Sequence, residues 1–188
     1  MKSNKSELLS KRLTLRLVDF SDLNAIHILH CLPETDEFNT LGIPENIEQT
    51  KTILESWVLA NEQEEILSYT FAIETIKENI FIGLFGLKLW ASKHRRGEVW
   101  YKLHSDHWGN GYATESLNLI LDFGFNSLNL HRIQAGCAVD NPGSIKVLEK
   151  AGMIREGRGR QLLPLKSGWS DNFEYSILET DDRKTNII

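Results

Sequence analysis

Cysteine is scarce in this chain. Only Cys31 and Cys137 occur in 188 residues, far apart and without the close spacing of a zinc site or a disulfide framework. Both read as reduced thiols, and no metal is expected. No hydrophobic run approaches the roughly 20 residues a membrane-crossing helix takes, and Met1-Lys2-Ser3-Asn4-Lys5 leads into no apolar signal core. The expectation is a cytoplasmic protein without membrane association. An excess of positive charge is also missing. With 21 basic against 26 acidic residues the net charge is −5, which gives no general basis for direct nucleic-acid binding and mildly favours a cationic acceptor such as an amine. Internal repeats, low-complexity tracts and interdomain linkers are not seen. The length suits one domain with an ordinary buried core.

What is present alternates between strand and helix signals. Arg12-Leu13-Thr14-Leu15-Arg16-Leu17 has the period-2 pattern of a half-buried strand. Ser21 is placed to cap a helix over 22–30, the stretch 34–44 reads as a loop, and Asn46 followed by Gln49 opens a helix to about Asn61. Two strands follow at 69–73 and 80–87, then a charged loop at 91–97 and a strand from Glu98 to His104. A helix from about Gly111 carries Leu117, Ile120, Leu121 and Gly124 on one side, and 131–139 reads as another strand. Asn141 caps a helix with Pro142 in its first position and Gly152 at its stop. The rest, 153–179, reads as strands separated by Gly157/Gly159 and by Lys166-Ser167-Gly168. This order does not alternate strictly, so a mixed sheet with helices on both faces is expected rather than a doubly wound one. The expected layout is a disordered lead-in at 1–7, a domain at 8–179 and a polar tail at 180–188.

The chain is organised around Trp108-Gly109-Asn110-Gly111-Tyr112-Ala113-Thr114, a glycine-rich turn from a strand into a helix. Such a turn points bare N–H groups outward at the positive end of a helix dipole and so seats an anion. Gly109 and Gly111 allow close backbone approach or positive φ. An NTPase phosphate loop needs Gly-Lys-Ser/Thr, and no lysine lies between Ser105 and Ser116. A dinucleotide fingerprint needs a third small residue where Thr114 stands, near the start of the chain rather than past its middle. A nucleotide-binding protein using the same turn remains a third reading.

The turn resembles the pyrophosphate loop of the GCN5-related N-acetyltransferases, and Trp108 in Trp-Gly-Asn-Gly-Tyr-Ala-Thr-Glu resembles the RimJ/RimL branch of that superfamily. The resemblance covers roughly residues 8 to 179. It implies a three-layer α/β fold with a mostly antiparallel mixed sheet, in which the central parallel strands, here 98–104 and 131–139, splay apart to admit the pantetheine arm of acetyl-CoA. It further implies that backbone atoms of Tyr101, Lys102 and Leu103 pair with the pantetheine amides, and that amides across Gly109, Asn110, Gly111, Tyr112, Ala113 and Thr114 receive the pyrophosphate. Asn141-Pro142-Gly143-Ser144 matches the branch's Asn-x-x-Ser pattern, which places Asn141 on the cofactor arm and Ser144 near the thioester sulfur. The tyrosine common elsewhere in the superfamily is here Leu148, which leaves Ser144 as the hydrogen-bond donor to the departing thiolate.

An amine of pKa about 10 must also lose a proton before it attacks. Glu98 matches a glutamate of the branch and is the candidate base or water-orienting group, with Trp100 standing where the branch has glycine. Gln161 falls where some relatives carry another catalytic glutamate, and glutamine cannot serve as a base. By analogy of fold, Glu34, Asp36, Phe38 and Trp100 line the acceptor side. His104, His107 and His131 show no metal spacing. The expected activity is direct acetyl transfer from acetyl-CoA to a primary amine, either a protein N-terminus or a small molecule, by a monomer or homodimer. The competing reading is a catalytically weak coenzyme-A-binding sensor or interaction module of the same fold.

Overall fold

The computed structural model describes residues 7–183. The lead-in expected at 1–7 therefore lies outside the described residues except for Glu7, as does 184–188 of the expected tail.

Alternating leucines start the sheet. In β2 (Leu13–Leu17) the three leucines are buried and Thr14 and Arg16 are only partly so, the two-residue period of a strand with one face on a core. β1 (Leu8–Leu9) pairs with it, and β3 (Ser68–Thr75), β4 (Phe81–Leu89), β5 (Arg96–Leu103), β6 (Arg132–Ala138), β7 (Ile154–Leu165) and β8 (Gly168–Leu178) complete the sheet. The order is β1-β2-β3-β4-β5-β6-β8-β7. Neighbours run antiparallel throughout except for β5 and β6. A parallel pair needs a long crossover, and the helix α4 (Tyr112–Asp122) lies in that connection.

Helices cover both faces. On one, α1 (Leu23–Cys31) and α3 (Ile47–Asn61) bring Ile26, Leu29, Leu54 and Val58 against Ala72 and Leu84. On the other, α4 and α5 (Pro142–Lys150) bring Leu117, Ile120 and Leu148 against Leu15, Phe71 and Phe85. Phe71 and Ala72, like Leu84 and Phe85, are chain neighbours that enter opposite cores, as the strand pleat dictates. The fold is the expected three-layer mixed α/β architecture.

Several local readings need correction. Ser21 does not cap the first helix. Asp19 caps a 3-10 turn at Phe20–Asp22, its carboxylate accepting from Ser21 N at 2.8 Å. The buried Asp22 carboxylate instead takes two bonds from Arg16, at 2.9 and 2.7 Å, which join the start of α1 to β2. The stretch read as loop from Glu34 begins with a short helix, α2 (Pro33–Asp36), with Pro33 in its first position. Gly157 and Gly159 do not separate strands; they sit in β7 at shifts of its register with β8, where one extra residue is absorbed at Glu156 and two across 160–162. The caps at Asn46 and Asn141 form as expected, onto Gln49 N and Ser144 N.

His30 in α1 is 1% exposed, edge-on to Trp57 with ring centroids 6.0 Å apart, and burial pushes its imidazole down to about 4. A base whose folded pKa lies below its unfolded value binds fewer protons in the fold, so its contribution holds above the unfolded pKa, about 6.5, and is lost as pH falls toward 4. Urea titrations across that window are expected to show a loss of about 3 kcal/mol attributable to this residue, and His30→Phe to flatten the slope. An unaltered slope in the variant would assign the acid sensitivity elsewhere.

Candidate active site

The parallel ladder between β5 and β6 is short. It pairs Arg96 with Arg132, Gly97 with Ile133, Glu98 with Gln134 and Val99 with Ala135, and there it ends. Both strands run on, each held by its outer neighbour: Trp100 to Leu103 stay paired with Gly86 to Gly83 of β4, and Gly136 to Ala138 with Glu174 to Asn172 of β8. Tyr101, Lys102 and Leu103 therefore line the diverging edge, where the main chain has no parallel strand to bond.

The glycine turn follows at the end of β5. Gly109 has φ +77 and Gly111 φ +80, both left-handed. Among the described residues, a Cβ at Gly109 would meet nothing within 4 Å and one at Gly111 only Arg12 Nη2 at 3.6 Å, so these positions need glycine for backbone conformation rather than for room. Gly111 is the N-cap of α4 and, among the described residues, no side chain caps that helix. The N–H groups of Tyr112, Ala113 and Thr114 lie in the first turn, where a helix has no internal acceptors to give them. Their dipole end is positive and suits an anion. Trp108 fastens the turn to the strand, its indole N–H donating to Leu103 O at 2.9 Å, while the Asn110 amide donates to His107 O and Trp108 O at 3.2 Å each.

Across the opening, Asn141 accepts from Ser144 N at 3.0 Å, so its carbonyl oxygen serves the cap. The Ser144 side chain is half-buried and lies within hydrogen-bonding reach of the Tyr101 hydroxyl. Tyr101 is stacked on Phe85 and reaches α5, its hydroxyl lying 3.5 Å from Ser144 O; burial raises its pKa. The structure thus gathers Tyr101, Asn141 and Ser144 where β5 and β6 part, with the turn at 109–114 beside the end of β5.

Glu98, Trp100 and Lys102 alternate with Val99, Tyr101 and Leu103 along β5 and so face the α1/α3 side. Glu98 lies inside the paired part of the strand, between Lys88 and Gln134 in register. Trp100 lies flat over Gly86, where any Cβ would overlap its indole, and packs on Trp57 of α3 with centroids 5.6 Å apart. The bulk that Trp100 adds on β5 is thus accommodated by a glycine on β4. Asp36 is buried, Phe38 half-buried and Glu34 exposed. Asp36 also borders a cavity of about 380 Å3 between the loop after α2 and the β7–β8 hairpin, with Asn39, Ile43, Leu165 and Lys166. Gln161 stands apart, exposed on β7 at φ +47, its N–H donating to Asp171 at 2.8 Å. No group of three or more potential metal-ligating side chains occurs among the described residues.

Sequence reasoning missed Arg12. Its Nη1 donates to Asn110 O at 3.1 Å, its Nε to Glu115 at 2.7 Å, and its guanidinium lies 4.7 Å over the Tyr112 ring. Ser10 Oγ donates to the other Glu115 oxygen at 2.7 Å. A strap from the first strands therefore holds the turn and neutralises the one carboxylate in the first turn of α4. The turn has no cation of its own, but it has one beside it. Nothing local to 108–115 signals a partner that is 98 residues away.

Residues 12–154 match the acetyltransferase (GNAT) domain. The chain is 31% identical over 168 residues, 89% of its length and 94% of the relative's, to the uncharacterized N-acetyltransferase YoaA of Bacillus subtilis. Among solved structures it is similar to a GNAT-family acetyltransferase from Bacillus anthracis (TM-score 0.82, 27% identity, covering 94% of this chain and 100% of that one). It is also similar to the spermidine N-acetyltransferase of Vibrio cholerae solved with CoA and spermine (TM-score 0.80, 25% identity, covering 90% and 97%). This chain belongs to the GNAT superfamily and is an N-acetyltransferase.

Arg12→Ala is expected to weaken CoA affinity about tenfold, the worth of a charge-assisted bond, while affinity for acetyl-pantetheine, which lacks the diphosphate, stays as in the parent. Equal losses for both ligands would show a general structural role. Gly111→Val forces a β-branched residue to φ +80. It should cost about 1–2 kcal/mol in unfolding free energy and lower CoA affinity as the turn distorts; an unchanged CoA affinity in calorimetry would contradict the anion seat.

Proposed function

We propose that this N-acetyltransferase moves the acetyl group of acetyl-CoA directly to a primary amine, on a small molecule or a protein N-terminus, without a covalent enzyme intermediate. The observation that carries the reading is the end of the β5–β6 ladder at Val99 and Ala135 beside the uncapped start of α4. One opening supplies main-chain groups for an amide-bearing arm, and the other end supplies N–H groups for a diphosphate. The Vibrio relative was solved with CoA and a polyamine, which supports both the co-substrate and the amine class.

In this reading Tyr101, Lys102 and Leu103 hold the pantetheine through their main chain, with Asn141 at the arm, and the amides from Gly109 to Thr114 hold the diphosphate. Held so, the thioester meets the amine as a neighbour rather than as a solute. The amine attacks the acetyl carbon, the C–S bond breaks, and the departing sulfur takes a hydrogen bond from the Ser144 hydroxyl. Glu98 takes the ammonium proton, directly or through a held water. Glu34, Asp36, Phe38 and Trp100 border the acceptor.

Calorimetry with acetyl-CoA and a thiol-release screen over amines test the reading together. Saturable binding and turnover are expected, with Ser144→Ala lowering kcat by about tenfold or more and leaving the KM for acetyl-CoA nearly unaltered. Undetectable binding at millimolar acetyl-CoA removes the co-substrate, and full activity in Ser144→Ala removes Ser144 from the chemistry. Glu98→Gln should depress turnover mainly below the acceptor's own pKa; a superimposable pH profile would exclude Glu98 as the base.

A further inference from the structure

Trp108 is 50% exposed, yet its ring is not loose. The indole N–H donates to Leu103 O at 2.9 Å, and the Asn110 amide donates to Trp108 O at 3.2 Å. The first bond ties the side chain to the end of β5, and the second ties its main chain to the glycine turn. An exposed apolar ring is ordinary in itself, since much of any folded surface is apolar. A ring held in one orientation on the rim of a binding turn is a different object, because the cost of ordering it is met before a ligand arrives.

The other rings around the turn are engaged. His104 and His107 lie with centroids 6.0 Å apart, His107 and Tyr112 lie 6.4 Å apart, and Tyr112 carries the Arg12 guanidinium. Trp108 has no ring or guanidinium against it among the described residues. The space beside it is open as well. Among the described residues a Cβ at Gly109, the next position, would meet nothing within 4 Å. The indole N–H is already committed to Leu103 O, so what Trp108 offers a ligand is its π face.

We propose that the Trp108 indole is the platform on which the adenine of acetyl-CoA stacks, and that it is thereby a specificity residue for the donor. This rests on the acetyl-CoA reading of the same turn and deepens it. CoA carries one flat, uncharged aromatic group, joined to the diphosphate through a single ribose. With the diphosphate on the amides of 109–114, the base lies one sugar away from the turn, and Trp108 is the free ring there. The site so built favours the nucleotide form of the donor over one that ends at phosphopantetheine. Stacking reads no hydrogen-bonding edge, so the preference is for a flat base rather than for adenine in particular.

Calorimetry with CoA, dephospho-CoA and phosphopantetheine, on the parent protein and on Trp108→Ala and Trp108→Phe, tests the inference. Trp108→Ala should weaken CoA and dephospho-CoA alike, by about tenfold, and leave phosphopantetheine, which keeps a phosphate but has no base, as in the parent. Trp108→Phe, which keeps a π face and loses the bond to Leu103, should restore most of the loss. In the parent protein alone, the Trp108 indole N–H resonance should move upfield with CoA and stay in place with phosphopantetheine, so a variant that fails to fold leaves the test intact. An unmoved indole resonance while CoA binds, equal losses for CoA and phosphopantetheine, or a Trp108→Phe protein no better than Trp108→Ala overturns this inference and leaves the acetyl-CoA reading standing. Failure of the parent to bind CoA overturns both.

Discussion

Two strands remain neighbours only while each offers the other a ladder of hydrogen bonds, and in this protein one such ladder stops halfway. β5 and β6 share four residue pairs, after which β5 stays with β4 and β6 stays with β8. The sheet is continuous in order and open at its centre. Main-chain groups facing the opening have lost strand partners, and unmet buried N–H and C=O groups cost about 1–3 kcal/mol each. A ligand arm that carries amides relieves that cost in a way a purely apolar ligand cannot. The positions of Tyr101, Ser144 and the glycine turn all follow from where the ladder ends.

The start of α4 shows how local and distant terms combine. An uncapped helix start attracts negative charge, but Glu115 in the first turn of α4 works against a diphosphate there. Arg12 binds that carboxylate and the Asn110 carbonyl together, which converts a repulsive neighbour into part of a fixed frame. The conformation of the turn therefore depends on the first strands of the chain as much as on the glycines. Similarly, the α1/α3 side of β5 depends on a compensation across strands, with the Trp100 indole lying on Gly86.

Much of the fold and part of the site were legible in the sequence because their signals are local. The leucine alternation at 13–17, the Asn46 and Asn141 caps and the Trp108–Thr114 turn each lie within a few residues. What escaped notice is set by distance or by shortness. Arg12 reaches its acceptor across 98 positions, and no pattern within either segment announces the other. α2 has only four residues, too few for hydrophobic periodicity to register. Ser21 and Asp19 are both good caps, and the choice was made by Asp22 turning inward to Arg16.

The central claim is that the opening between β5 and β6 and the start of α4 hold the two ends of one co-substrate. Backbone amide NMR of the protein titrated with CoA and separately with acetyl-pantetheine addresses both ends at once. The account predicts shifts at Tyr101, Lys102 and Leu103 with either ligand and at Tyr112, Ala113 and Thr114 with CoA alone. Shifts centred instead on the cavity of about 240 Å3 bordered by Trp90, Arg95 and Arg96, with the amides of 101–103 and 112–114 unmoved, would contradict it.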